Sequence, residues 1–146
     1  MILSFIEVKN LTHIFRENDE KKTEKIALDN ISLKIDKGEF IAIIGVNGSG
    51  KSTLAKHFNG LLLPSEGECI VDGMKVDDSE DIWKVRQKVS MVFQNPDNQI
   101  IATVVEDDIA FGPENMGLER EEIKDRIEFA LKSLHIEHLR KMPPHL

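Results

Sequence analysis

The sequence contains a single cysteine, Cys69, among 146 residues, so an internal disulfide is excluded. We interpret this residue as a buried thiol on a strand, which suits a reducing compartment. No stretch approaches the roughly 18 apolar residues of a membrane-spanning helix. The first residues also lack the basic start of a signal peptide and carry the acidic Glu7 early. We therefore expect a soluble, cytoplasmic chain.

Basic residues are in the minority. The chain has 19 Lys and Arg against 26 Asp and Glu, which gives a formal net charge of −7. Because nucleic-acid-binding domains typically present a basic surface, a nucleic-acid partner is not expected. Any binding of phosphate must instead come from a local arrangement of the chain.

Such an arrangement is present at residues 45–52, which read GVNGSGKS and fit the phosphate-loop pattern G-x-x-x-x-G-K-[ST]. The apolar run at residues 39–44 is typical of a buried parallel strand. Residues 52–59 predict a helix, which Gly60 terminates. Strand, glycine-rich loop and helix therefore follow one another in the order that this motif requires. The alternative, a glycine turn that binds nothing, is disfavoured for the same reason.

The motif predicts the role of each of its residues. Glycines let backbone N–H groups surround an anion at the start of the helix. Lys51 is expected to reach the β- and γ-phosphates of a nucleoside triphosphate, and the Ser52 hydroxyl to ligate magnesium. The residues expected to contact the nucleotide here are Gly45, Asn47, Gly48, Ser49, Gly50, Lys51, Ser52 and Thr53.

The remaining pattern divides between strands and helices. Alternating apolar and polar residues predict antiparallel strands at residues 5–15 and 31–35. Asp72-Gly73, between two short apolar runs, predicts a β-hairpin.

Further along the chain, a helix is expected at residues 78–88, a strand at residues 89–93 and a polar loop at residues 95–99. A later amphipathic helix is expected to turn one apolar face inward. That face comprises Ile123, Ile127, Leu131 and Leu134.

In combination, the phosphate loop, the Asp-Gly hairpin and a strand ending in Phe93-Gln94 resemble the ATP-binding subunits of ABC transporters. Residues 93–99, FQNPDNQ, and residues 105–112, VEDDIAFG, are similar to the energy-coupling-factor branch of that family. Members of this branch power bacterial uptake of vitamins or of cobalt and nickel ions. The resemblance covers essentially the whole chain.

The resemblance implies an α/β fold, with a P-loop NTPase core, an N-terminal antiparallel β-subdomain and the start of a helical subdomain. The C-terminal part of the family fold is expected to be absent. We interpret residues 1–146 as a single incomplete nucleotide-binding domain. Residues 1–93 would form the β-subdomain and P-loop core, and residues 94–146 the glutamine loop and part of the helical subdomain.

The resemblance also assigns two residues outside the phosphate loop. Phe15 matches the aromatic residue that stacks on adenine, and it keeps the aromatic face of the commoner tyrosine. Its alternative is an ordinary core aromatic at a strand end. Gln94 matches the glutamine that reaches magnesium and the attacking water, so we count it with Lys51 as catalytic and with Ser52 as a metal ligand. His13, two residues from Phe15, is interpreted as a structural histidine.

Three consecutive acids, Glu106, Asp107 and Asp108, resemble the segment of the family that meets the membrane subunit. They equally fit a solvated helix N-terminus, where acidic side chains complement the helix dipole. Both interpretations remain open.

Part of the family pattern does not occur in the sequence. We find no serine-glycine-glycine signature, no apolar strand ending in Asp-Glu and no switch histidine after such a strand. Residues 100–107 resemble such a strand only superficially, because Thr103 interrupts the apolar run. We therefore expect the 146-residue chain to bind ATP and magnesium without turnover, whereas the resemblance implies that the complete family protein is an ATPase.

The resemblance further implies a second ATPase subunit in a homo- or heterodimer, a transmembrane coupling subunit and a substrate-binding membrane component. It implies a peripheral location on the cytoplasmic face of the cell membrane. Two other functions stay open: a small P-loop metabolite kinase, and a non-catalytic docking module for a membrane subunit. A kinase would need clustered arginines, and the five arginines of this chain are scattered.

Overall fold

A computed structural model describes residues 4–16, 24–95 and 99–144. The chain forms two compact units, Met1–Met91 and Val92–Leu146. That both belong to a single nucleotide-binding domain stays a prediction.

The first unit is built on an antiparallel sheet of strands β1 (Ile6–Arg16), β2 (Glu24–Ile35), β3 (Glu66–Val71) and β4 (Met74–Lys75). In the described part of the chain their order is β2-β1-β3-β4. The strands predicted at residues 5–15 and 31–35 are confirmed, although β2 begins earlier than expected. The predicted hairpin is also confirmed, since Asp72 and Gly73 join β3 to β4 with φ angles of 48° and 80°.

Strand β1 does not alternate regularly, and its irregularity matters for the site. Ile6 and Val8 are buried, two exposed residues follow, and burial resumes at Leu11 and His13. The register with β2 shifts between Val8 and Leu11. Because an extra residue in one strand reverses the faces of all later side chains, this bulge is what directs His13 into the core.

Helix α1 (Lys51–Phe58) packs on this sheet, and α2 (Ile82–Lys88) adds Val85 to the same core. The phosphate-loop helix is therefore confirmed, and Gly60 follows it with a φ of 65°. Helix α2 begins later than the predicted residue 78. The core cluster of this unit consists of Ile6, Val8, Leu11, Leu28, Leu54, Phe58, Cys69, Val71, Val76 and Val85.

Two predicted strands, at residues 39–44 and 89–93, are wrong. Neither segment pairs with a strand in the described part of the chain. The side chains of Phe40, Ile44 and Val92 are 97%, 92% and 88% exposed. An apolar run predicts burial but does not supply the neighbouring strand whose N–H and C=O groups complete a ladder.

The second unit consists of α3 (Val105–Asn115), α4 (Arg120–Leu134) and a short 3₁₀ helix (Glu137–Leu139). The start of α3 at Val105 leaves no strand in residues 100–107, as expected for a superficial resemblance. Residues 96–98 of the predicted polar loop lie outside the described residues. No helix in the described ranges has the length and apolar character needed to cross a membrane.

Helix α4 confirms the predicted amphipathic helix but corrects its inner face. Leu131 is fully buried and Ile123 and Ile127 are half-buried, whereas Leu134 is 68% exposed. The chain reverses at His135, which has a φ of 57°, and Ile136 donates its N–H back to the Leu131 carbonyl at 3.0 Å. Leu134 is thus the last residue of the helix and lies outside the buried face.

Candidate functional site

The phosphate loop leads directly into α1. A turn closes where the Ser49 N–H donates to the Val46 carbonyl at 3.2 Å, and Gly48 and Gly50 take φ angles of 81° and 88°. The first bond of the helix runs from the Leu54 N–H to the Gly50 carbonyl at 2.8 Å. The loop therefore arches over the start of the helix, as the motif predicts.

The start of α1 favours an anion. Gly50 occupies the N-cap position, no side chain caps it, and the first turn contains no acidic residue. The first N–H groups of any helix have no partner within the helix, and the helix dipole places positive charge there. Lys51 is itself the first residue of the helix, and the last turn carries Lys56 and His57. An arriving phosphate would therefore meet unpaired donors and no competing carboxylate on this helix.

Lys51 is folded back over its own loop. Its ammonium group donates to the carbonyl oxygens of Gly45 at 2.9 Å and Val46 at 2.8 Å. A lysine ammonium has three N–H donors, so a third is available beyond these two bonds to described residues. The side chain is held at the mouth of the loop, where it can meet a phosphate oxygen.

The loop is wedged against the sheet. A β-carbon built on Gly50 would lie 2.6 Å from the carbonyl oxygen of Ala27 and 2.8 Å from a methyl carbon of Leu28, both on β2. Leu28 pairs with His13 across the sheet, and Phe15 pairs with Lys25 two positions further along β1. The strand that contacts the loop is thus the neighbour of the strand that carries Phe15.

Phe15 lies at the end of β1 with 41% of its surface exposed. Its ring packs edge-to-face against His13, with centroids 4.6 Å apart at 78°. His13 is buried, and its Nδ1 lies 3.1 Å from the Leu63 carbonyl. The structural role predicted for His13 is confirmed, and Phe15 keeps an open surface on which a base can stack.

A model of the family described as ABC transporter matches residues 28–146, which is most of the chain. The chain belongs to the ABC transporter family.

Relatives of this ABC transporter chain carry a more specific name. The chain is 51% identical to the energy-coupling factor transporter ATP-binding protein EcfA1 of Clostridium novyi, over 98% of this chain and 50% of that protein. It is 54% identical to the EcfA1 protein of Clostridium perfringens, over 88% of this chain and 46% of that protein. The chain spans about half the length of the curated relatives it matches. The resemblance to the energy-coupling-factor branch is confirmed.

Solved structures support the fold. The structure of cbiO1 from Clostridium perfringens, described as part of the ABC transporter complex cbiONQ, matches with a TM-score of 0.78 and 40% identity. That match covers 97% of this chain and 55% of the other. A dimeric ATP-binding cassette bound to ADP and Pi, MJ0796, matches with a TM-score of 0.78 and 30% identity, over 96% of this chain and 62% of the other. The predicted fold class, that of an ABC ATPase, is confirmed.

The residues assigned to the ABC ATPase site fall into two groups. The first unit contains Phe15 and the phosphate-loop residues Gly45, Asn47, Gly48, Ser49, Gly50, Lys51, Ser52 and Thr53. Gln94 is exposed and belongs to the second unit. Its role beside the nucleotide stays a prediction.

The acidic segment has a structural role within the second unit. Asp108 accepts hydrogen bonds from the backbone N–H groups of Ile101 at 2.8 Å and Ala102 at 3.0 Å. Glu106 pairs with Lys141 and lies 3.9 Å from Arg140. Two of the three acids thus tie the start of α3 to its surroundings, in line with the helix-terminus interpretation.

Magnesium fits the donors on this chain. In the described residues no group of three or more His, Cys, Asp or Glu side chains is placed to hold a metal ion. Magnesium bound with a nucleotide needs few protein ligands, because phosphate oxygens and waters complete its octahedron. The exposed Ser52 hydroxyl, one residue after Lys51, is a hard oxygen donor of the required kind.

One contact at this site could not be expected from the sequence motifs. His57 on α1 is fully buried and reaches His13 on β1. The sequence offers one indication that His57 is buried. Leu54, His57 and Phe58 have the spacing of residues on one buried face of a helix.

Proposed function

We propose that this chain supplies the ATP-binding part of an energy-coupling-factor transporter subunit. One observation carries the proposal. The phosphate loop leads into a helix whose N-terminus has no side-chain cap, so the first backbone N–H groups have no partner within the helix. Beside them the loop holds the Lys51 ammonium 2.9 Å from the Gly45 carbonyl. The family match and the names of the relatives supply the context.

In this proposal each residue has a distinct task. Backbone N–H groups of the loop bind the β-phosphate, and Lys51 neutralises charge on the β- and γ-phosphates. Ser52 and Gln94 would be the protein ligands of magnesium, which would balance the phosphate charge when bound. Phe15 stacks on adenine through its exposed face. Gln94 orients the attacking water at the γ-phosphate.

The whole subunit would hydrolyse ATP, whereas these 146 residues would bind it without turnover. Phosphoryl transfer in P-loop proteins also needs an acidic residue for magnesium and a positioned water. We infer that a second ATPase subunit, a transmembrane coupling subunit and a substrate-binding membrane component complete the assembly. The subunit would then work at the cytoplasmic face of the membrane, powering uptake of a vitamin or of cobalt or nickel ions.

Binding is tested by titrating the chain with ATP and magnesium in a calorimeter and comparing Lys51→Ala with Lys56→Ala. Both substitutions remove one lysine from α1, at opposite ends of the helix. Because a hydrogen bond to a charged group contributes about 1.5–3 kcal/mol, Lys51→Ala should weaken ATP binding about 10- to 100-fold. Lys56→Ala should leave the affinity nearly unchanged.

Equal losses in the two variants would show that binding is a general effect of charge and would reject the assigned site. Release of phosphate is measured in the same samples. Magnesium-dependent ATPase activity that disappears in Lys51→Ala would contradict the claim that these residues do not turn ATP over.

A further inference from the structure

A pair of buried histidines joins α1 to β1. His57 is fully buried and His13 is 7% exposed. The His57 Nε2 lies 3.2 Å from the His13 Nδ1, and the two rings meet edge-to-face with centroids 4.8 Å apart. Buried imidazoles in direct contact need defined protons, because a donor must face an acceptor in each bond.

The carbonyl partners fix those protons. The His57 Nδ1 lies 2.7 Å from the Thr53 carbonyl, so this nitrogen must donate and Nε2 must accept. The His13 Nδ1 lies 3.1 Å from the Leu63 carbonyl, so it also donates, and its N–H is shared with the His57 Nε2. Burial lowers the pKa of His57, which agrees with a neutral ring. His57 therefore carries its proton on Nδ1, and His13 donates from its own Nδ1, while the buried Nε2 of His13 has no hydrogen-bond partner among the described residues.

Backbone bonds hold His13 in place on both sides. The Ser65 N–H donates to the Thr12 carbonyl at 2.9 Å, and the Ile14 N–H donates to the Ser65 hydroxyl at 3.0 Å. The segment after α1 is thus fastened to β1 immediately before and after His13. These bonds fix the backbone on both sides of His13, whereas the ring itself is held by its contacts with the Leu63 carbonyl and His57.

The histidine pair connects the two ends of the proposed nucleotide site. At one end, His57 holds the backbone of Thr53, the last residue of the phosphate-binding segment. At the other end, His13 packs against the ring of Phe15 with centroids 4.6 Å apart. A continuous series of contacts therefore runs from the phosphate loop to the proposed adenine-stacking ring.

We propose that His13 and His57 are positioning residues that set the Phe15 ring at the correct distance from the phosphate loop for an adenine nucleotide. The inference rests on the proposed function, since it assumes that ATP binds at this loop. It adds that affinity for the base, separately from affinity for the phosphates, depends on two histidines that lie behind the stacking ring.

The test compares ATP with inorganic tripolyphosphate, which has the phosphates and no base. Calorimetric titrations use the full chain as its gene encodes it. His13→Leu removes the shared N–H and should weaken ATP binding about tenfold, because stacking of a base on an aromatic ring adds to affinity. Tripolyphosphate binding should stay within about twofold. His13→Asn, which retains an N–H near Nδ1, should restore most of the preference for ATP.

His135→Asn is the matched control. His135 is exposed, lies in the second unit and has a φ of 57°, a conformation that asparagine tolerates. This variant should bind ATP and tripolyphosphate as the unmodified chain does.

Nitrogen-15 NMR of the imidazole rings supplies a readout that does not depend on the variants folding. Both buried rings should show the Nδ1–H tautomer, and ATP but not tripolyphosphate should shift the ring resonances of His13.

If the unmodified chain binds ATP more tightly than tripolyphosphate and His13→Leu keeps that preference, the inference is overturned while the proposed function stays intact. An Nε2–H tautomer at His57, or no ATP-specific shift at His13, would also overturn it. Failure of the unmodified chain to bind either ligand would reject the proposed function, and the inference with it.

Discussion

Gly50 approaches Ala27 so closely that a β-carbon at position 50 would lie 2.6 Å from the Ala27 carbonyl oxygen. No side chain fits between the phosphate loop and β2 at this point. Gly50 also has a φ of 88°, and a left-handed conformation costs a residue with a β-carbon about 1–2 kcal/mol. The loop conformation thus depends on glycine for two independent reasons.

Gly50→Ala should therefore weaken ATP binding more than tenfold and lower the melting temperature. The control is Gly112→Ala, since a β-carbon at this position in α3 would meet nothing within 4 Å beyond its chain neighbours and its own helix. Alanine in a helix interior is favoured over glycine by about 0.5–1 kcal/mol, but Pro113 follows and disfavours the helical conformation of a preceding residue with a β-carbon. The melting temperature of this control should therefore change little, and its ATP affinity should not change. Calorimetric titration and thermal unfolding measure both effects. Wild-type affinity in Gly50→Ala would show that the loop can move away from β2 at little cost.

The thiol of Cys69 should be inert in the folded chain. Burial raises its pKa to about 12, with a smaller contribution from the charge of Asp77. Since the thiolate is the reactive form, a disulfide reagent at pH 8 should label the native protein slowly and the denatured protein rapidly, with one equivalent in each case. Rapid labelling of the folded protein would show that the site opens readily.

The same shift predicts how stability responds to alkaline pH. The folded state keeps the thiol protonated up to about pH 12, whereas the unfolded chain loses this proton near its ordinary value of 9.0. The contribution of the buried, protonated thiol to the free energy of unfolding is complete below pH 9 and falls progressively as the pH rises towards 12. Cys69→Ala lacks this titration, so its loss of stability between pH 8 and pH 10.5 should be smaller than that of the parent chain in denaturant melts. Parallel pH dependence in the two proteins would contradict the assigned cause.

The two leucines near the end of α4 should differ sharply in their contribution to stability. Leu131 is fully buried and Leu134 is 68% exposed. Leu131→Ala should destabilise the second unit by about 2–5 kcal/mol, because it leaves a cavity. Leu134→Ala should change the free energy of unfolding by about 0.5 kcal/mol or less. Denaturant melts compare the free energies of unfolding of the two variants. Equal losses of stability would show that Leu134 belongs to the buried apolar face that its spacing predicts.

Local features of the fold could be predicted from the sequence, and features that depend on distant pairing could not. The turn at Asp72-Gly73 and the helix after the phosphate loop are determined by residues a few positions apart, and both were expected. The strands predicted at residues 39–44 and 89–93 are not formed, because a strand depends on a neighbour that the local pattern does not specify.

The candidate site shows the same division. The motif of the phosphate loop identifies Lys51 and Ser52 directly. The contact between His13 and His57 joins residues 44 positions apart in the chain. It depends on a bulge in β1 that no alternation of residues reveals. Asp108 is predicted to lie at a docking surface or at a helix end. It accepts two hydrogen bonds from backbone N–H groups, which is a local structural role at the start of α3.

The hydrogen bonds from Lys51 to Gly45 and Val46 have a thermodynamic consequence. A long, flexible side chain loses up to about 2 kcal/mol of rotamer freedom when it is ordered. In this chain the loop itself supplies that ordering, since its own carbonyls of Gly45 and Val46 hold the ammonium at 2.9 and 2.8 Å. The phosphate loop therefore stands preorganised, and the free energy released on contact with an anion goes into affinity rather than into arranging the lysine.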